Sequence, residues 1–210
     1  LRRPRTTLAV RRGIETIGGE RFAWRFRPHY HAGDEVVRLT AGRARLRLPD
    51  GTHDVQAGDT IVVPAGTVHR FEPVDAEGWA FTSEFVVRDA TDPQPVTRND
   101  ERLVARAIEL LTRRQGLRSD PEGLARACRV SSGHLARTFQ RVTGTGMHNF
   151  HVLLVLQKAK GLLRDGASLA ATAFESGFYA QAHLTREFVR TYGFTPKAFK
   201  RAWSDPSKTG

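Results

Sequence analysis

The 210 residues carry 33 Lys and Arg against 22 Asp and Glu, a formal net charge of +11, with 40% hydrophobic and 26% charged residues. This is the composition of a globular chain of one large or two small domains, and it excludes a disordered or fibrous protein. The longest aliphatic run, Val152–Leu156, falls far short of the ~20 apolar residues of a membrane span, and the single cysteine, Cys128, excludes an internal disulfide framework. No apolar stretch follows the N-terminal arginines, so the reading expects neither a signal peptide nor a membrane partner, and a reducing, cytoplasmic location.

The charge is divided unevenly. Residues 1–100 hold 15 basic and 14 acidic side chains, whereas residues 101–210 hold 18 and 8. The first twelve residues contain five arginines and no acid, and read as a basic N-terminal arm (1–12). A near-neutral front half joined to a basic rear half predicts two modules, of which the second meets a polyanion.

From Arg21 to Val87 the pattern is that of short strands. Trp24 and Phe26 alternate with Arg25 and Arg27, and Ala44, Leu46 and Leu48 alternate with Arg43, Arg45 and Arg47. Turn residues punctuate the runs at Gly42, Pro49-Asp50-Gly51, Gly58-Asp59 and Pro64-Ala65-Gly66. Period-two patterning with one apolar face marks half-buried strands, and many short strands at even spacing predict a sandwich or closed barrel over residues 13–90. Trp24, Phe26, Phe71, Trp79 and Phe81 are read as barrel core rather than a ligand cage, and the three arginines as a solvated face.

His29, His31 and Glu35 share one parity, so a continuous strand would project them from one face; His69 follows a second turn. Three imidazoles and a carboxylate suit a divalent transition ion such as Fe, Mn, Ni, Cu or Zn with coordination positions left open. The same four residues would otherwise line a metal-free pocket and hydrogen-bond a small ligand. Both readings stay open on the residues alone. The spacings His-x-His-x3-Glu-x6-Gly from His29 to Gly42, and Gly-x5-Pro-x-Gly-x2-His from Gly58 to His69, resemble the two motifs of the cupin superfamily, with Pro73 where that family usually has Asn. The resemblance implies a cupin-like β-barrel and a metal or ligand site at His29, His31, Glu35 and His69.

Residues 91–99, with two prolines and no hydrophobic period, read as a linker. Beyond them the period becomes helical. Leu103, Val104, Ala107, Ile108 and Leu111 form one stripe ended by Gly116. Asp120-Pro121 gives a cap and first helical residue for a short helix Glu122–Cys128, and Ser131 caps a helix over Ser132–Val142. Cys128 is read as a small buried core residue.

The segment from His134 to Gly144 returns at an offset of 49 residues as His183 to Gly193, with His, Leu, Arg, Phe, Arg and Gly coinciding. Each copy follows a short helix and a turn, which predicts two helix-turn-helix units. Leu135, Phe139 and Val142 should be buried in the first, Leu184 and Phe188 in the second. The outward residues are Ser132, Gly133, Ala136, Arg137 and Gln140, and then Gln181, Ala182, Thr185 and Arg186. Arg137 and Arg186 occupy equivalent positions and are read as base contacts, since arginine pairs bidentately with guanine and glutamine with adenine. Arg141, Arg190 and Lys197 are read as phosphate contacts.

Residues 100–203, and most specifically Leu169–Phe178, His183–Phe188 and Gly193–Phe199, resemble the AraC/XylS family, in which two helix-turn-helix units are joined by a long helix. The resemblance implies double-stranded DNA as partner, read at successive turns by one chain, and a small-molecule effector in the barrel that changes DNA geometry or an RNA polymerase contact. The joining helix, Met147–Arg164, departs from the family in having Val155 where an arginine is common, which predicts apolar surface offered to a partner. A homodimer would have to use the barrel or the arm. The expected fold is thus α+β in two domains, a cupin-like β-barrel followed by an all-α domain, with a short tail at 204–210. The expected function is a ligand- or metal-sensing transcription regulator. The alternative is a metal-dependent cupin enzyme fused to a DNA-binding domain; with no general base outside the ligand set, the reading expects no enzyme.

Overall fold

The computed structural model describes residues 6–86, 99–114, 116–117 and 120–204. Eight strands come first: β1 (Thr6–Arg11), β2 (Ile14–Phe22), β3 (Asp34–Ala41), β4 (Arg43–Leu48), β5 (Gly51–Gln56), β6 (Thr60–Val63), β7 (Arg70–Pro73) and β8 (Trp79–Val86). They pair antiparallel in a five-stranded sheet, β1-β2-β8-β3-β6, and a three-stranded sheet, β5-β4-β7. In β3, Glu35, Val37 and Leu39 are buried, and across the ladder they meet Phe85, Ser83 and Phe81 of β8. Strict alternation on both strands therefore lays one wall of the barrel interior.

Arg43, Arg45 and Arg47 point outward, as the alternation requires. They are not simply solvated: each pairs with a carboxylate of the barrel, Asp75, Asp54 and Glu72, at 2.8, 2.9 and 2.7 Å. These exposed pairs add about 0–1 kcal/mol each, but they absorb the charge that the sequence left free.

Three local expectations change. Residues 23–28, with Trp24 and Phe26, form no strand, although Trp24 is buried and Phe26 half-buried. β2 lies almost wholly ahead of Arg21, where the predicted strand pattern begins; a Cβ at Gly19 would strike the Phe81 ring opposite it, so glycine here permits close strand pairing. The arm reading gives way for Thr6–Arg11, which form β1 against β2 because Leu8 and Val10 have barrel surface to cover. Its first five residues, and linker residues 91–98, barrel residues 87–90 and tail residues 205–210, lie outside the described residues.

Seven helices follow: α1 (Asn99–Thr112), α2 (Pro121–Ala127), α3 (Ser132–Thr143), α4 (Met147–Arg164), α5 (Leu169–Ser176), α6 (Gln181–Tyr192) and α7 (Pro196–Ser204). Asn99, placed in the linker, is the first residue of α1. Asp120 accepts a hydrogen bond from the Gly123 amide, and Ser131 one from His134, so both predicted caps form. Gly144 and Gly193 end α3 and α6 at φ +72° and +80°, a left-handed conformation that explains why glycine closes both copies of the repeat.

α4 corrects the partner-surface expectation. Val152, Leu153, Val155 and Leu156 are all buried. A helix apolar on most sides seeks burial on most sides, and α4 finds it between the barrel and α6–α7. One continuous core joins Val37, Leu46, Trp79 and Phe85 of the barrel to Leu156 and Leu163 of α4, Phe188 of α6 and Phe199 of α7. A second core holds Val104, Leu111, Leu124, Leu135, Phe139 and Phe150.

Candidate functional site

The four residues of the two spaced motifs converge inside the barrel, although not on one continuous strand. Glu35 is on β3, whereas His29 sits in an isolated bridge with His69 and a bend at Ala32-Gly33 separates His31 from β3. The bridge is held by reciprocal amide–carbonyl bonds of 2.9 and 2.8 Å, which fix the two imidazoles side by side. All four side chains are buried. His69 Nε2 lies 2.8 Å and His31 Nε2 3.5 Å from a Glu35 oxygen.

The ring hydrogens are oriented from outside. His29 Nδ1 donates to the Arg27 carbonyl at 2.7 Å and His69 Nδ1 to the Thr67 carbonyl at 3.0 Å, leaving each Nε2 to the interior. This is the backbone support that sets metal-ligating histidines. One ligand atom from each of His29, His31 and His69 falls within 4.8 Å of the others. His31 Nδ1 and Nε2, Glu35 Oε2 and His69 Nε2 are buried without a hydrogen-bond partner, the 2.8 Å approach of His69 to Glu35 lacking hydrogen-bond alignment. Unmet donor atoms on a His3Glu set fit a transition ion.

The electrostatics agree. Burial, assisted by the neighbouring His69, pushes the His29 imidazole down to about 4. Burial likewise holds His31 well below the ordinary range. Burial opposes the Glu35 charge, but His31 and His69 outweigh it and keep the carboxyl low. For His69, burial is outweighed by Glu35, which raises it. The cluster therefore presents two neutral imidazoles and a carboxylate near neutral pH, the protonation states that coordinate a metal.

The cavity around the cluster measures about 30 Å³, room for about two waters or an ion. Phe26, Phe71, Trp79, Phe81 and Phe85 line it, so these aromatics are core and cavity wall at once. Its remaining wall was missed by sequence reasoning: Thr191 and Tyr192 come from the last turn of α6. Around that contact, Lys160 of α4 makes a buried 2.8 Å pair with Glu15 of β2, and Arg27 pairs with Glu187 of α6 at 2.7 Å. The available signal was a difference between the repeats, since Thr138, Val142 and Thr143 in the first copy become Glu187, Thr191 and Tyr192 in the second.

On the helical side, α3 and α6 present the faces that periodicity predicts. Leu135, Phe139, Leu184 and Phe188 are fully buried, while Val142 is only half-buried. Gly133, Ala136, Arg137 and Gln140 are exposed on α3, with Ser132 half-buried; Gln181, Ala182, Arg186 and Arg190 are exposed on α6, with Thr185 half-buried. Arg141 pairs with Asp100 at 2.9 Å, and Arg186 and Arg190 lie 3.8 and 3.5 Å from Glu187. Lys197 is exposed on α7, and Cys128 is half-buried rather than buried. No described helix is long and apolar enough to cross a membrane.

A barrel with a buried His/Glu cluster beside a small cavity, continued by two helix-turn-helix units in one chain, defines the class of sensor–reader proteins. Family comparison agrees over both halves: residues 13–83 match the AraC-like ligand binding domain, and residues 124–202 match a helix-turn-helix domain. The chain thus carries an AraC-like ligand binding domain followed by an AraC-type helix-turn-helix domain. It is 32% identical over 83 residues to the HTH-type transcriptional regulator GlxA of Rhizobium meliloti, a match covering 39% of this chain and 26% of that protein, so it spans about a quarter of that relative's length. The crystal structure of unsaturated fatty acid bound ToxT from Vibrio cholerae is 8% identical, with a TM-score of 0.54 over 97% of this chain and 98% of that one, which shows a shared two-domain fold. An AraC-type transcriptional regulator structure from Chromobacterium violaceum is 20% identical with a TM-score of 0.47, over 50% of this chain and 96% of that one.

Proposed function

We propose that the protein is a cytoplasmic, sequence-specific transcription regulator in which one chain reads double-stranded DNA with α3 and α6 and senses a small molecule, held with or by a divalent transition ion, in the barrel. The carrying observation is the pair of exposed arginines, Arg137 and Arg186, at equivalent positions of two helices, each closed by a glycine, whose other faces are fully buried. Ser132, Gly133, Ala136 and Gln140 with Arg137, and Gln181, Ala182 and Thr185 with Arg186, form the two base-reading surfaces. Arg141 and Arg190 contact phosphate. Small residues at 133, 136 and 182 let the backbone approach the groove. His29, His31, Glu35 and His69 hold the ion or ligand, which reaches transcription through the DNA-bound geometry or an RNA polymerase contact. Any homodimer uses barrel surface or residues 1–5, because Thr6–Arg11 are taken up in β1.

The test is selection of duplexes from random sequence by the purified protein, followed by affinity measurements. Arg137→Ala and Arg186→Ala should each cost about 1–3 kcal/mol and relax specificity at one position; unchanged affinity and specificity in both variants would defeat the reading. The His3Glu set also supports a second reading, a metal-dependent enzyme. Against it, the other polar lining residues of the cavity, Ser83, Thr191 and Tyr192, supply no general base poised near neutral pH. The reading we propose is therefore a regulator, and turnover of a substrate lost in His69→Ala would favour the second reading instead.

A further inference from the structure

The last turn of the second reader helix is part of the sensor cavity. Thr191 and Tyr192 line the same space as His29, His31 and Glu35. The Thr191 hydroxyl oxygen is buried, 1% exposed as a residue, and has no hydrogen-bond partner. An unmet buried hydroxyl is a standing cost that an oxygen- or nitrogen-bearing ligand would relieve. Tyr192 is wedged beside it: its hydroxyl accepts from Gln157 Nε2 at 3.3 Å, its ring lies 5.1 Å from the Lys160 ammonium, and the His31 ring is 6.3 Å away.

The repeat supplies an independent argument. At the three positions where the inward surface of α6 meets the barrel, the first copy has Thr138, Val142 and Thr143, and the second has Glu187, Thr191 and Tyr192. Each change gives α6 a group that the barrel uses. Glu187 takes the Arg27 pair, and Thr191 and Tyr192 face the His/Glu cluster. The outward arginines stay the same in both copies. The outward arginines of α6 are thus kept while its inward face is altered at the cavity.

We infer that the ligand site is built by both domains, with Thr191 and Tyr192 as its sensing wall, so that a divalent ion carrying a small oxygen- or nitrogen-bearing ligand at the His/Glu cluster acts directly on the second reader helix and not on the first. The inference rests on the proposed sensor role of the barrel. The sheet walls of the cavity are tied by ladder hydrogen bonds, whereas α6 is held to the barrel by packing, by the Arg27–Glu187 pair and by the Thr6 hydroxyl donating to the Gly193 carbonyl at 3.4 Å. A ligand larger than about two waters must therefore be accommodated at α6, the wall with the fewest ties.

The test uses the full chain and Zn²⁺ as probe, because zinc outcompetes manganese and iron for an N/O site. Calorimetry gives the zinc stoichiometry, and hydrogen exchange is followed in residues 181–192 and 132–143. Saturating Zn²⁺ should slow exchange in α6 by about fivefold or more relative to α3. The double variant Thr191→Val, Tyr192→Phe should lose that differential response when compared at equal zinc occupancy. By linkage, a duplex selected by the protein should shift the zinc Kd by the factor with which zinc shifts the duplex Kd. One zinc per chain with equal effects on α6 and α3 would overturn the inference and leave the sensor reading standing. No zinc binding, or binding undiminished in His69→Ala, would overturn the inference together with the metal-held form of the sensor reading.

Discussion

α3 and α6 are copies of one motif with different attachments. α3 buries Leu135 and Phe139 in a core made mainly by α1, α2 and α4, and its Arg141 pairs with Asp100 of α1. α6 buries Leu184, Phe188 and Tyr192 in the core that runs on into the barrel, and its Glu187 pairs with Arg27 of the barrel. Facing away from both cores, the arginines coincide, Arg137 with Arg186 and Arg141 with Arg190, while Gln140 gives way to an exposed Val189. The duplicated reader thus keeps its outward arginines while its inner face is refitted to a different neighbour: of the two, α6 lines the His/Glu cavity, whereas α3 meets the barrel elsewhere, near Val68 and Pro49.

The largest effect should come from the buried rings. Phe139→Ala and Phe188→Ala should each cost about 3–5 kcal/mol. Near-UV signals of Trp24 and Trp79, both in the α6 core, should report the second and not the first. Equal tryptophan responses would mean that the two cores melt as one and would break the comparison.

Acidification should separate the helices next. In metal-stripped protein, His29 titrates at about 4 against about 6.5 unfolded. Between those values the unfolded chain binds a proton that the folded chain refuses, so stability falls as pH drops from about 6.5 to 4, by about 3 kcal/mol for this group. His31, also lowered, adds in the same direction. Glu35, held low, loses its contribution only below the ordinary carboxylate range. His69, raised, runs the other way: its contribution is complete below about 6.5 and fades as pH rises through its folded value. Exchange in α6 should therefore accelerate ahead of α3 between pH 6.5 and 5; simultaneous acceleration would count against the barrel as the seat of α6.

The smallest effect belongs to Glu187→Gln. It removes the charge facing Arg27, a residue one-third exposed, and should cost about 1 kcal/mol. Hydrogen exchange would show it as loosening confined to α6. A matching change in α3 would show that the attachment is shared.

Most of the helical half was legible. The caps Asp120 and Ser131, the stripe Val104-Ala107-Leu111 and the repeat itself are local patterns, and the helices form where those patterns begin and end. The four cluster residues were legible from spacing, although their continuous strand was not, because a bridge and a bend bring them together instead of one ladder. β2, ahead of the alternating pattern that starts at Arg21, was not legible; the role of Gly19 in it depends on the Phe81 ring across the sheet.

Sequence alone therefore determined the two-module division, the His/Glu set and the outward arginines, because each rests on periodicity or spacing along a few dozen residues. Only the tertiary structure decided that the apolar α4 is an interface, that Lys160 neutralises Glu15, and that Thr191 and Tyr192 close the cavity. Those contacts join residues far apart in the chain, 145 positions for Lys160 and Glu15, and which surface a helix covers is settled by the shape of the neighbour it meets rather than by its own pattern.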